Sequence, residues 1–130
     1  MGRRARLMLL GAGGLFASAS AQTPRDALSG VESGRWRLHE IGSRSPDTSL
    51  CVAEPRMLLQ LRHGDASCSH VDLPGEPDQA SVRYSCPGAG YGQTVVTVEN
   101  PRLLRIQTQG LAKGEPFQAD YEARHAGACG

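Results

Sequence analysis

Three groups of residues in this chain have types and spacings that invite chemistry: a glycine-rich run, four histidines with carboxylates nearby, and four cysteines. The run Cys86-Pro-Gly-Ala-Gly-Tyr-Gly-Gln-Thr94 carries glycines at 88, 90 and 92. A dinucleotide fingerprint needs Gly-x-Gly-x-x-Gly at the opening of a helix, and a P-loop ends in Gly-Lys-Ser/Thr. Here the spacing is Gly-x-Gly-x-Gly, Gln93 stands where the lysine would, and Val95, Val96, Thr97 and Val98 follow as a strand-like run. With no helix N-terminus, no dipole or row of free N–H groups faces a phosphate. The run reads instead as a connection or bulge between strands, with glycines at positive φ. Tyr91, inside it, is expected to fold back onto the core.

The histidines are His39, His63, His70 and His125. His63-Gly-Asp65 and His70-Val-Asp72 are His-x-Asp pairs, and period two puts Cys68, His70 and Asp72 on one face of a strand. A strand pair of this kind can bind zinc, with a carboxylate orienting the imidazole. The plainer reading puts His63 at a helix end, where the dipole favours a cation, and His70 in solvent. An enzyme would need His39, His70 and Asp72 to converge in a cleft. No serine occupies a Gly-x-Ser-x-Gly elbow, and Glu76 and Asp78 fall in a turn. No catalytic, metal-binding or cofactor-binding residue is therefore assigned, and no cofactor is expected. Trp36, Tyr84 and Tyr121 are the candidates for a ligand pocket in the mouth of a sheet, although each also suits a core or its rim.

The cysteines, Cys51, Cys68, Cys86 and Cys129, contain no Cys-x-x-Cys, so neither a zinc knuckle nor a thioredoxin-like site has support. An even number in a small exported chain reads as two disulfides. Three pairings are open. We favour 51–68 with 86–129. The alternative, 68–86 with 51–129, has its own logic, since 68 and 86 are symmetric about Pro77 inside a Pro-Gly-Glu-Pro-Asp turn.

The chain of 130 residues opens as an export signal. Arg3, Arg4 and Arg6 form a basic start, Leu7–Phe16 an apolar stretch, and Ala19-Ser20-Ala21 a small-x-small cleavage site. That stretch falls short of the roughly 20 apolar residues a bilayer span requires, and no later segment is apolar enough to span. We therefore read 1–21 as a signal peptide, 22–33 as a linker and 34–130 as one disulfide-stabilised domain, periplasmic or secreted. Three of the 14 Lys and Arg lie in the signal, which leaves 11 against 13 acidic residues. That balance gives no basic excess for nucleic acid. The expected partner is a small ligand or an envelope protein.

Period-two stretches dominate the mature part. Trp36 and Leu38 alternate with Arg35, Arg37 and His39; Val82, Tyr84 and Cys86 alternate with Ser81, Arg83 and Ser85. Phe117, Ala119, Tyr121 and Ala123 alternate with Gln118, Asp120, Glu122 and Arg124. Residues 54–64 change period: Pro55 suits a first helical turn, Met57, Leu58 and Leu61 form a stripe, and Gly64 stops it. The expected fold is mainly all-β, a curved antiparallel sheet or partly closed barrel of six to seven strands with one short helix.

Gly34, Trp36, Cys51, Cys68, Cys86, Gly127 and Cys129 stand in an order that resembles the bacterial exported family called domain of unknown function 3617. The resemblance covers roughly residues 30–130, and its specificity lies in the cysteine order and the terminal Arg-His-Ala-Gly-Ala-Cys. It implies a periplasmic β-rich domain with paired cysteines and supplies no activity. The reading that results is a binding or envelope accessory module, with an envelope enzyme, or an inhibitor presenting loop 87–93, as alternatives.

Overall fold

The computed structural model describes residues 26–130, so the signal peptide assigned to 1–21 lies outside them. Seven antiparallel strands form one unclosed sheet: β1 (Gly34–Glu40), β2 (Thr48–Val52), β3 (Ser69–Leu73), β4 (Gln79–Cys86), β5 (Gly90–Asn100), β6 (Leu103–Ala112) and β7 (Glu115–His125). Their order is β2-β1-β7-β6-β5-β4-β3. Strands β3 to β7 form a meander joined by short turns. The last, Lys113-Gly114, takes positive φ at both residues, 51° and 79°, a geometry that matches the twist of the flanking strands. Pairing of β1 with β7 then brings the N-terminal hairpin to the end of the chain.

Alternation fixes which face is dry. Trp36, Val82, Tyr84, Val96, Leu104, Ile106 and Ala123 are buried on one side of the sheet. Two short 3-10 segments cover that side: Ala27–Gly30, and Pro55–His63, which packs on β2, β4, β5 and β6. Each fully buried large aliphatic contributes about 1.5–3 kcal/mol over leaving it exposed. The stretch read as a linker therefore belongs in part to the domain, since Leu28 and Val31 are core residues. Asp26 caps the first turn by accepting from the Leu28 amide at 3.1 Å.

Residues 55–63 are not one α-helical run. The segment is 3-10 and breaks at Gln60, whose φ and ψ are −126° and 37°. Its buried residues are Leu58 and Leu59 rather than the expected stripe, and Met57 is exposed. The break lets adjacent leucines both turn inward, and the Gln60 amide bridges the Gly64 and Ala66 carbonyls at 2.8 and 2.9 Å.

The disulfides are Cys51–Cys129 and Cys68–Cys86, which corrects the favoured 51–68 and 86–129 pairing. Strands β2 and β3 are opposite edges of the sheet with five strands between them at a spacing of about 4.8 Å, and a disulfide needs Cα atoms within about 7 Å. Cys51 also lies on the open face beside Arg35, whereas Cys86 is buried in the core. Hairpin register dictates the other pair: Ser69 opposes Ser85, so Cys68 falls opposite Cys86, with Cα atoms 4.1 Å apart. Cys129 reaches Cys51 because Arg35 hydrogen-bonds Gly127 and Ala126 across the end of β7.

The two bridges span 78 and 18 residues. Loop-closure entropy makes the first worth about 4.5 kcal/mol and the second about 3 kcal/mol. Urea denaturation of Cys51→Ser/Cys129→Ser should show the larger loss of stability, and Cys68→Ser/Cys86→Ser the smaller.

Candidate functional site

The residues singled out for chemistry are dispersed by the fold. His39, on β1, bonds Asp47 through Nδ1 at 2.8 Å. His70 and Asp72 lie on β3, at the far edge of the sheet, and Asp72 pairs with Arg56 at 3.0 Å. The three do not meet. Among the described residues no group of three or more His, Cys, Asp or Glu side chains is placed to hold a metal ion. His125 is mostly buried, with Nε2 3.0 Å from the Ser33 carbonyl and its ring edge-on to Trp36 at 5.5 Å. That contact ties β7 to the chain entering β1.

Trp36, Tyr84 and Tyr121 do not form a common pocket. Trp36 is fully buried and its indole donates to the Glu32 carbonyl at 2.9 Å. It is in register with His125 at one end of β7, whereas Tyr84 is in register, through Gly92 and Gly110, with Phe117 near the other end. Eight residues of strand separate those rows, roughly 27 Å. Tyr121 lies at the core margin and lines a separate cavity of about 140 Å³ with Ile41 and Arg105. The three rings are packing residues of one long core.

The sequence reading missed the most heavily bonded polar cluster, which forms around His63. Its Nε2 lies 3.0 Å from the Leu111 carbonyl and 3.2 Å from the Ala89 carbonyl, and its Nδ1 lies 2.9 Å from the Tyr84 hydroxyl. Two carbonyls can only accept, so Nε2 carries the hydrogen, and in the neutral ring Nδ1 accepts from Tyr84. Burial pushes the Tyr84 hydroxyl above the ordinary tyrosine value, with the Thr108 hydroxyl and the Arg62 guanidinium offsetting part of that rise. Thr94 and Thr108, in register on β5 and β6, share a buried hydrogen bond of 2.8 Å. Both ring nitrogens of His63 are thus committed to the protein. The cluster locks the helical segment to the β4–β5 turn and to β6.

The glycine run makes room for it. A Cβ at Gly92 would stand 2.5 Å from the Tyr84 hydroxyl oxygen, and one at Gly90 would stand 1.8 Å from the Leu111 carbonyl oxygen and 2.9 Å from His63 Nε2. The slack expected between strands is only Pro87–Ala89; Gly90 and Gly92 lie within β5. A strand glycine often marks close approach by another group, the one signal in the sequence that points here. Tyr91, expected in the core, is 55% exposed, because its alternation with Gly90 and Gly92 aims it at the other face.

That other face is open. Its central row crosses β4 to β7 in register as Arg83, Gln93, Gln109 and Gln118, and the next row as Ser81, Val95, Gln107 and Asp120. Gln93, Gln107, Gln109, Gln118 and Asp120 border an open cavity of about 240 Å³. Tyr91, two residues before Gln93, belongs to the same face. Alternation over 117–124 marks Gln118 as outward, and strand register assembles it with Gln93, Gln107 and Gln109.

No family model matches the chain, and comparisons with curated proteins and with solved structures return no match.

Two measurements test the cluster. Gly92→Ala should cost about 1–3 kcal/mol, the range for overpacking a closed site, read by urea denaturation. Folded Tyr84 keeps its proton to higher pH than the unfolded chain does, so its contribution is complete below about pH 10 and declines as pH rises further. Tyr84→Phe, which costs about 1 kcal/mol near neutrality through the lost hydrogen bond, should therefore approach the wild type in stability as pH is raised above about 10.

Proposed function

We propose that this chain is an exported binding module of the bacterial envelope, and that the open face of its sheet is the contacting surface. The observation that carries this reading is the in-register assembly of Gln93, Gln109 and Gln118, with Gln107 beside them, around an open cavity on a sheet face that no helical segment among the described residues covers. Surface amides brought together across three strands offer many donors and acceptors in a fixed array. Export to the periplasm or beyond, with cleavage after Ala21, belongs to the same proposal. The two disulfides support an oxidising compartment, and no helix among the described residues is long and apolar enough to cross a membrane. Membership of the domain of unknown function 3617 family is part of the proposal too and rests on the ordered Gly, Trp and Cys positions.

The alternatives have less to stand on. An enzyme built on His39, His70 and Asp72 lacks their convergence. An inhibitor presenting residues 87–93 lacks the loop, since all but Pro87–Ala89 belongs to β5.

An immobilised domain should retain a component of an envelope extract. Gln109→Arg, in the middle of the face, should abolish that retention, and Glu76→Arg, in the β3–β4 turn, should not. Equal retention by all three proteins rejects the face, and no retention by any rejects the binding reading.

A further inference from the structure

Resting on the reading of the open face as a binding surface, we infer that its ligand is an uncharged glycan chain. The amide row is the first reason. Each sugar hydroxyl both donates and accepts, and a glutamine side chain offers both functions from one planar group. Gln93, Gln109 and Gln118 present three such groups side by side at the strand spacing of about 4.8 Å. A chain laid across β5, β6 and β7 would meet an amide at each strand.

The second reason is the ring beside that row. Tyr91 is more than half exposed, on the strand that carries Gln93, and opposes Leu111 in register. A sugar ring has an apolar C–H face and a hydroxyl rim. The Tyr91 and Leu111 end suits the former and the amides the latter, and a tyrosine combines an apolar body with a polar tip.

Charge and depth exclude other classes. The central row has one cation, Arg83, at its end, and the neighbouring row one anion, Asp120, with uncharged side chains between them. The arginines farther along the face, Arg105, Arg124 and Arg37, are paired with Glu99, Glu122 and Asp47. Nucleic acid or another polyanion would require several basic groups. A peptide adding a strand needs a free sheet edge, whereas β5, β6 and β7 are paired on both sides. A cavity of about 240 Å³ also falls below the roughly 300–1,000 Å³ that engulfs a small molecule. It is better matched to one residue of a chain that continues over the surface.

The test is a titration of the ¹⁵N-labelled domain with two uncharged oligosaccharides, the N-acetylglucosamine tetramer and the glucose tetramer maltotetraose, alongside co-sedimentation with purified peptidoglycan sacculi. The soluble arms report recognition of a free oligosaccharide and the sacculi recognition of the envelope polymer. Binding in any arm should shift the side-chain amide signals of Gln93, Gln109 and Gln118, or be competed by a tetramer that shifts them. Tyr91→Ala should weaken it at least about fivefold, the loss expected of an aromatic anchor, while Tyr91→Phe keeps most of it. Tyr91 is exposed, so both variants should fold, which circular dichroism checks. No binding in any arm overturns the glycan inference, as do shifts confined to another surface or full affinity in Tyr91→Ala. If the envelope component retained through Gln109 proves to be a protein and every glycan arm is silent, the binding reading survives and the glycan inference falls.

Discussion

A seven-stranded sheet needs something to cover whichever face it keeps dry, and among the described residues two short helical segments do this. Those segments reach one side only. Strict alternation follows: Trp36, Tyr84, Ile106 and Ala123 go under the segments, and Arg37, Arg83, Gln107 and Arg124 go to water. Everything else about the molecule depends on that asymmetry. It sets which residues form a core, where the disulfides must lie, and which surface remains for a partner.

The covered side is held by polar locks as well as by apolar burial. His63 bonds a hydroxyl and two carbonyls that are 21, 26 and 48 residues away in sequence. Satisfied groups of this kind specify geometry, because breaking one leaves a buried donor or acceptor unpaired. The lock also explains why two glycines sit inside β5, where strand propensity disfavours them: side chains there would occupy the space of Tyr84 and His63. The features that first suggested a phosphate loop turn out to serve packing.

At the two ends of the sheet the disulfides take over what packing cannot do. Cys68–Cys86 fixes the β3–β4 hairpin at one edge, and Cys51–Cys129 ties the other edge to the chain terminus. Between them lie the broad strands β5, β6 and β7, which have no covering layer on the open side among the described residues. Their outward side chains include the central amides Gln93, Gln107, Gln109 and Gln118, and the arginines farther along, Arg105 and Arg124, are paired with Glu99 and Glu122, an array suited to hydroxyl-rich ligands and poor for charged ones.

The sequence by itself determined what depends on neighbours along the chain. Period two marked the strands and their inward residues, since alternation is a property of extended backbone. The symmetry of 68 and 86 about Pro77 already contained one disulfide, because hairpin register is local. Tertiary structure decided whatever depends on strand order. The Cys51–Cys129 bridge requires β1 to lie beside β7. The His63 lock requires a helical segment to fold over β4–β6, and the amide row requires three strands in one register. None of these is a spacing along the chain, and hydrophobic pattern alone says which face a residue takes without saying which residues share it. Tyr91 shows the difference plainly: its aromatic type suggests the core, but its place between two glycines that face the core puts it in solvent.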